Sequence, residues 1–169
     1  MRIVIIFITL KVILLDIQTN NTTFGKKFYM ALNPDYIEIG SDIIGAAFEV
    51  RNTVGCGMRE EYYQAALKWE LEQRGYNVEM ETPVPVTYKG NKINSDYKAD
   101  LVVDGRVIIE VKALGEIVEK QGRQIVTYLR LTNFRLGYLI NFGVKDFGMG
   151  KLSDTIPYRK GIYRIVNGI

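Results

Sequence analysis

Asp100, Glu110 and Lys112 are the residues whose types and spacing could do chemistry in this chain. Asp100 opens an apolar stretch ending at Val103, and Glu110-Val111-Lys112 closes the next one, Val107–Ala113. In an extended strand successive side chains alternate faces, so Glu110 and Lys112 share one face while Ile109 and Val111 share the other. Val107–Ala113 is too apolar for a solvated strand, so both of its faces should be covered. A Glu and a Lys there lose water, which is costly unless they are paired or bound to a metal ion. The competing reading is an ion pair at the surface end of a strand.

The rest of the composition narrows the alternatives. There is no histidine, which excludes a Ser-His-Asp triad, a Cys-His pair, a His-liganded zinc and a His general base within the chain. The single cysteine, Cys56, excludes an internal disulfide and fits a reducing, cytoplasmic compartment. Lying between two glycines, it reads as a small buried thiol. Any catalysis falls to Asp, Glu, Lys, Tyr or a hard metal ion. Hydrophobic residues make up 47% and charged residues 24% of the 169, the balance of a globular protein. The net charge of +3 resides in residues 1–29, which hold Arg2, Lys11, Lys26 and Lys27 against Asp16 alone. Residues 30–169 are neutral, so charge gives little support to a nucleic-acid partner. Lys89, Lys92, Lys98, Arg123, Arg130 and Arg135 could touch phosphates, although scattered basic residues usually form a solvated surface.

These residues need elements to position them. Ser41 can cap a helix carrying Ile43, Ile44, Ala47, Phe48 and Val50, ended by Gly55-Cys56-Gly57. A second helix is predicted from about Met58 to Arg74, with Tyr62, Ala65, Ala66 and Trp69 on or near one face. Tyr76–Glu81 alternates as a strand, Pro83 and Pro85 confine the next stretch to an edge, and Lys89-Gly90-Asn91 is a turn. Leu101–Val103 and Val107–Ile109 form a hairpin about Asp104-Gly105. A helix over roughly Glu116–Leu131, a buried strand Leu136–Phe142, a loop over Lys145–Tyr158 and a strand Ile162–Val166 complete the order. The fold class is α/β, a mixed sheet with core order α-β-β-β-α-β flanked by helices. A two-residue hairpin turn would put Asp100 on the wrong face for Glu110. A three-residue loop with a G1 bulge pairs Val102 with Arg106 and brings Asp100 and Glu110 onto one face, as would a local twist at Asp100.

Asp100, Glu110 and Lys112 match the D…E-x-K pattern of the PD-(D/E)XK nuclease superfamily, although no proline precedes Asp100. Upstream, Gly57, Glu60 and Tyr63 spell G-x-x-E-x-x-Y. With Val54-Gly55, Tyr97-Lys98-Ala99-Asp100 and Leu139-Ile140-Asn141-Phe142-Gly143, they make the chain similar to the small GxxExxY family within that superfamily. The resemblance covers about residues 36–168 and implies a restriction-endonuclease-like core and a metal-dependent nuclease acting on DNA or RNA. Hard carboxylate oxygens suit Mg²⁺, or Mn²⁺, which stabilises the charge of an attacked phosphodiester and acidifies water. The resemblance makes Glu60, Asp100 and Glu110 metal ligands and Lys112 the residue that orients or deprotonates water. Without it, Glu60 is a helix-start acid favoured by the helix dipole. Tyr63 either orients Glu60 or belongs to the core. Gln124 and Tyr128, at i and i+4 on one helix face, resemble the Q-x-x-x-Y motif of the exonuclease-type branch, where the Gln helps position the site. Gln121 stands where relatives often carry a histidine and is assigned no catalytic role.

The alternative function is a catalytically inactive nucleic-acid- or protein-binding module on the same fold, with a homodimer as one form. Residues 1–29 form an apolar extension. Its uninterrupted run of about eight apolar residues is short of the roughly 20 that span a membrane, and it lacks an A-x-A cleavage pattern. Three readings stay open: a stretch upstream of a true start at Met30, as the family resemblance suggests; an added strand or helix; and a membrane-directing segment. Membrane association of the domain over 30–169 is not expected.

Overall fold

The computed structural model describes residues 33–93, 96–116, 119–150 and 160–167. The expectations for residues 1–29, and for the expected loop beyond Gly150, lie outside the described residues; within that loop Met149–Gly150 is a short strand, paired with Ile162 and Tyr163. Helix α1 spans Pro34–Val54 and α2 spans Glu60–Gln73. Strands β1 (Val78–Pro83), β2 (Val86–Tyr88), β3 (Asn91–Ile93), β4 (Lys98–Val103) and β5 (Val107–Lys112) come next. Then come α3 (Glu119–Thr132), β6 (Leu136–Asn141), the two-residue β7 (Met149–Gly150) and β8 (Ile162–Val166).

The first helix starts well before Ser41. Asn33 caps it by accepting a hydrogen bond from the Asp35 N–H, Pro34 occupies the first turn and Asp35 adds a favourable negative charge there. That combination of cap, proline and acid is a stronger start signal than a serine followed by apolar residues. Ser41 is an interior helical residue. Gly55, with φ 73°, ends the helix as expected.

Among the described residues, six strands form one sheet in the order β1-β4-β5-β6-β8-β7, while β2 and β3 form a separate hairpin. The β5–β6 pair is parallel and is connected through α3, whereas β1–β4, β4–β5 and β6–β8 are antiparallel. The element order of the core and the buried character of β6 agree with the sequence reading. One face of the sheet packs on α1 and α2 through Ile39, Ile43, Leu67, Leu71, Leu101, Ile109 and Tyr138. The other packs on α3 through Ile108, Leu139, Ile125, Tyr128 and Leu129. Each fully buried Leu or Ile contributes about 1.5–3 kcal/mol, so the sheet is anchored from both sides. This explains why β5 carries a nearly unbroken apolar run.

The inward face of α2 is Tyr63, Gln64, Leu67 and Leu71. Tyr62 and Trp69, expected to share a face with Ala65 and Ala66, are 52% and 57% exposed. The helix has two apolar stripes, and the aliphatic stripe, which interdigitates with the sheet, takes the core. Cys56 is exposed, not buried, because the Gly55–Gly57 turn carries it across the surface between the two helices.

A second anchor lies where β5 ends. Asn141, fully buried, accepts hydrogen bonds from the Leu114 N–H (2.9 Å) and Gly143 N–H (3.1 Å) and donates to the Leu114 carbonyl (2.8 Å). The backbone at Ala113–Leu114 passes so close to Gly143 that a Cβ there would lie 2.5 Å from the Leu114 carbonyl oxygen. Gly143→Ala must displace the segment immediately after Lys112, and should cost about 1–3 kcal/mol in urea unfolding. Gly148→Ala, where a Cβ meets nothing within 4 Å, should stay within about 0.5 kcal/mol. Equal losses in the two variants would contradict this close approach.

Candidate active site

The β4–β5 hairpin turns over Asp104-Gly105-Arg106, with positive φ at Asp104 (48°) and Gly105 (62°). Its register pairs Val103 with Val107 and Leu101 with Ile109, not Val102 with Arg106. Left-handed conformations at both Asp104 and Gly105 turn the chain without the bulge expected from the sequence. Continued outward, the observed register sets Asp100 opposite Glu110. The strand also leaves regular alternation here. Ala99 packs on the α3 side, whereas Leu101 and Val103 pack on the α1–α2 side. Across from this point Glu81 adopts φ 50°. The loop is three residues long but covers 104–106 instead of the expected 103–105, and this register, with the local twist at Asp100, brings Asp100 and Glu110 together.

They converge on Lys112. Its Nζ donates to Glu60 Oε1 at 3.1 Å and Asp100 Oδ2 at 3.3 Å and lies 3.6 Å from Glu110 Oε2. It also donates to the Val111 carbonyl at 2.6 Å. Asp100 is fixed by the Val111 N–H, which donates to the same Oδ2 at 2.7 Å. On the other flank Gln124 Nε2 donates to Glu110 Oε2 at 3.3 Å and to the Tyr128 hydroxyl at 3.0 Å. Five of the expected residues, Glu60, Asp100, Glu110, Lys112 and Gln124, thus form one connected group, joined by Tyr128. Side-chain exposure falls from 36% at Glu60 to 14% at Lys112, 13% at Asp100 and 1% at Glu110. Glu60 is the open side of the group and Glu110 its floor.

Tyr63 does not reach Glu60. Its hydroxyl donates to the Gly55 carbonyl (2.9 Å) and accepts from the Met58 N–H (3.2 Å). Its fully buried ring stacks on Phe142 with centroids 4.5 Å apart. The tyrosine is a clasp on the turn between the helices, and Gly57, with φ 110°, permits that turn. The G-x-x-E-x-x-Y spacing therefore has a mechanical meaning: glycine makes the turn, tyrosine locks it, and Glu60 emerges as the first residue of α2. There its negative charge is favoured by the helix dipole, and it accepts from the Lys112 ammonium.

Burial, followed by the negative charge of Asp100, pushes the Glu110 carboxyl up to about 8, against the opposing pull of Lys112. For Lys112, burial lowers its affinity for a proton, but the combined attraction of Asp100, Glu110 and Glu60 outweighs it and holds the ammonium above its ordinary range. Among the described residues, the buried Glu110 Oε1 has no hydrogen-bond partner. Among the described residues, no group of three or more acidic or thiol side chains stands ready-made to hold a metal ion. The carboxylates gather about the ammonium instead. Their hard oxygens, and the unpartnered Glu110 oxygen in particular, nevertheless fit a hard divalent cation.

Sequence reasoning missed the Asn141–Gly143 latch behind Lys112. Its signal was present in Leu139–Gly143, but only the fold shows which backbone that asparagine serves.

Compared with models of protein families, residues 37–151 match the PD-(D/E)XK nuclease superfamily, well over half of the chain. No curated protein and no solved structure matches.

This geometry can be tested at Tyr63 and at Glu110. Tyr63→Phe keeps the ring stack but removes the clasp, and should cost about 1–2 kcal/mol in chemical denaturation; an unchanged midpoint would show that the hydroxyl holds nothing. In chelator, Glu110 retains in the folded state a proton that the unfolded chain releases above about 4.5. Its contribution to stability is therefore full below that pH and declines as pH rises toward about 8, by about 1.4 kcal/mol per unit for one proton. Glu110→Gln, an isostere of the neutral acid, should flatten stability against pH in that window relative to the parent. Parallel profiles would contradict a protonated Glu110.

Proposed function

The chain belongs to the PD-(D/E)XK nuclease superfamily, and from that premise we propose that it is a divalent-metal-dependent nuclease of the GxxExxY type, hydrolysing phosphodiester bonds in DNA or RNA. The observation that carries this reading is the convergence of three carboxylates, from α2, β4 and β5, on the single ammonium of Lys112. Members of the superfamily generally require a divalent metal ion. Glu60, Asp100 and Glu110 would hold it, Mg²⁺ or Mn²⁺ by the hardness of their oxygens. Fully ionised, they carry more negative charge than one ammonium balances, which a dication would offset. When bound, such an ion supplies charge to an attacked phosphate and acidifies water.

The protein's own groups do the rest. Lys112, held in its charged form, donates N–H bonds and orients an attacking water or a phosphate oxygen. In this arrangement it is a donor before it is a base. The Val111 N–H fixes Asp100, and Gln124 fixes one oxygen of Glu110 while leaving the other unpartnered. Tyr128 braces Gln124, and Tyr63 sets the position of Glu60 from a distance. Such preorganisation avoids reorienting dipoles during reaction. Action in the cytoplasm, suggested by the lone cysteine, belongs to the same proposal.

The neutral balance of residues 30–169 favours a second reading, a binding module that keeps the fold without cleaving, since phosphate binding usually draws on surplus Lys and Arg. The two separate on linear, circular, single-stranded and branched DNA and on RNA, each with Mg²⁺ or Mn²⁺. The parent should cleave at least one of them, and Lys112→Ala and Glu110→Ala should each lower the rate by about a hundredfold or more. Unchanged rates in both variants would refute the site; binding without cleavage by the parent would favour the module.

A further inference from the structure

Between β1 and β4 the chain leaves the main sheet. The Val84 N–H donates to the Tyr97 carbonyl at 2.8 Å, and between those two residues the chain runs out and back as the β2–β3 hairpin. Val86 pairs with Ile93 and Tyr88 with Asn91, and among the described residues neither strand pairs with the main sheet. No residue of either strand is buried; all but the half-buried Val86 are exposed. A two-stranded ribbon without a buried face is marginal by itself, so its composition is informative.

From Val84 to Lys98 the sequence holds Lys89, Lys92 and Lys98 against one acid, Asp96, while residues 30–169 as a whole are neutral. Among the basic residues stand two tyrosines, Tyr88 and Tyr97, 64% and 54% exposed. Lys89 Nζ lies 5.5 Å from the centre of the Tyr88 ring, leaving a cation and an aromatic face side by side at the ribbon's tip. At its base, the Tyr97 ring lies 6.0 Å from that of Tyr128, which is hydrogen-bonded to Gln124 and through it to Glu110. Asp100 follows Lys98 by two residues on the same strand. The ribbon is therefore continuous with the cluster.

We infer that the β2–β3 ribbon is a substrate-holding arm for single-stranded nucleic acid, with Tyr88 and Tyr97 stacking unpaired bases and Lys89, Lys92 and Lys98 meeting the phosphates that lead toward Asp100. This deepens the nuclease reading and rests on it for the direction of the strand. Three features select this occupant: locally positive charge in a neutral domain, rings open enough to accept a base, and covalent continuity with the carboxylate cluster. Exposed rings interleaved with basic residues are the means by which proteins hold single strands without reading sequence.

The test is fluorescence anisotropy of the full chain in chelator, where binding is read without cleavage. The probes are a labelled single-stranded oligonucleotide and a duplex of equal length. Tyr88→Ala and Tyr97→Ala should each weaken single-strand binding by about tenfold and leave duplex binding nearly unchanged. The Lys89→Ala/Lys92→Ala pair should reduce the slope of log affinity against log salt by about 1.4. Trp69→Ala, an equally exposed aromatic on α2, should change neither. Unchanged affinity in all arm variants, or equal losses in Trp69→Ala, would overturn the arm. Equal losses on the duplex would overturn its preference for single strands. Parent binding that depends on the arm, without cleavage under any metal condition, would uphold the arm and sink the nuclease reading. Cleavage with arm-independent binding would do the reverse.

Discussion

An ammonium removed from water persists only where negative charge surrounds it, and that requirement at Lys112 organises the structure. Three carboxyl groups meet it, from its own strand, from the neighbouring hairpin strand and from a distant helix. The hairpin register already sets Asp100 opposite Glu110, and the ammonium joins to them Glu60 from a different layer. The arrangement is costly to assemble and unforgiving of error, because a buried charge that loses a partner keeps its desolvation penalty. The surrounding fold can be understood as the means of delivering these four groups to one point at the end of β5.

Delivery is accomplished by two fasteners that touch none of the carboxylates. On the helix side, the Tyr63 hydroxyl bridges the two ends of the turn that launches α2. On the sheet side, Asn141 and Gly143 hold the chain as it departs from Lys112 toward α3. The Tyr63 ring stacks on Phe142, between those two residues. The fasteners are therefore in contact, and the helix turn is joined to the strand end by that ring stack.

Much of this is legible in the sequence. Alternation alone places Glu110 and Lys112 on one face, and the apolar run around them announces a covered strand. Ile162–Val166 has the bounds expected of it, a short stretch of β-branched and aromatic residues between Gly161 and Asn167. The rest escapes for physical reasons. On α2 two apolar stripes compete, and periodicity cannot tell the aliphatic stripe that interdigitates with a sheet from the aromatic one left outside. The hairpin register turns on backbone conformation at Asp104, which an aspartate does not advertise as a glycine does. Tyr63 could be a partner of Glu60 or a core residue; its hydroxyl reaches backward across the turn, a contact invisible in helical spacing. The Lys112-centred arrangement itself, with Asp100 held by the Val111 N–H, depends on tertiary distance and cannot be read from the chain.

The outermost strand β1 offers a last consequence. Its alternation of Glu79 and Glu81 with exposed neighbours, the break at Glu81 where the backbone turns left-handed, and Pro83 at its end leave a free margin that is charged and interrupted. At the opposite margin β7 contributes only Met149 and Gly150. Among the described residues, neither border offers the long, flat row of open amides on which another chain could grow into a continuous sheet. A molecule whose inner strands are rich in valine and isoleucine, and so prone to fibrillar stacking if uncovered, is thereby guarded at both margins.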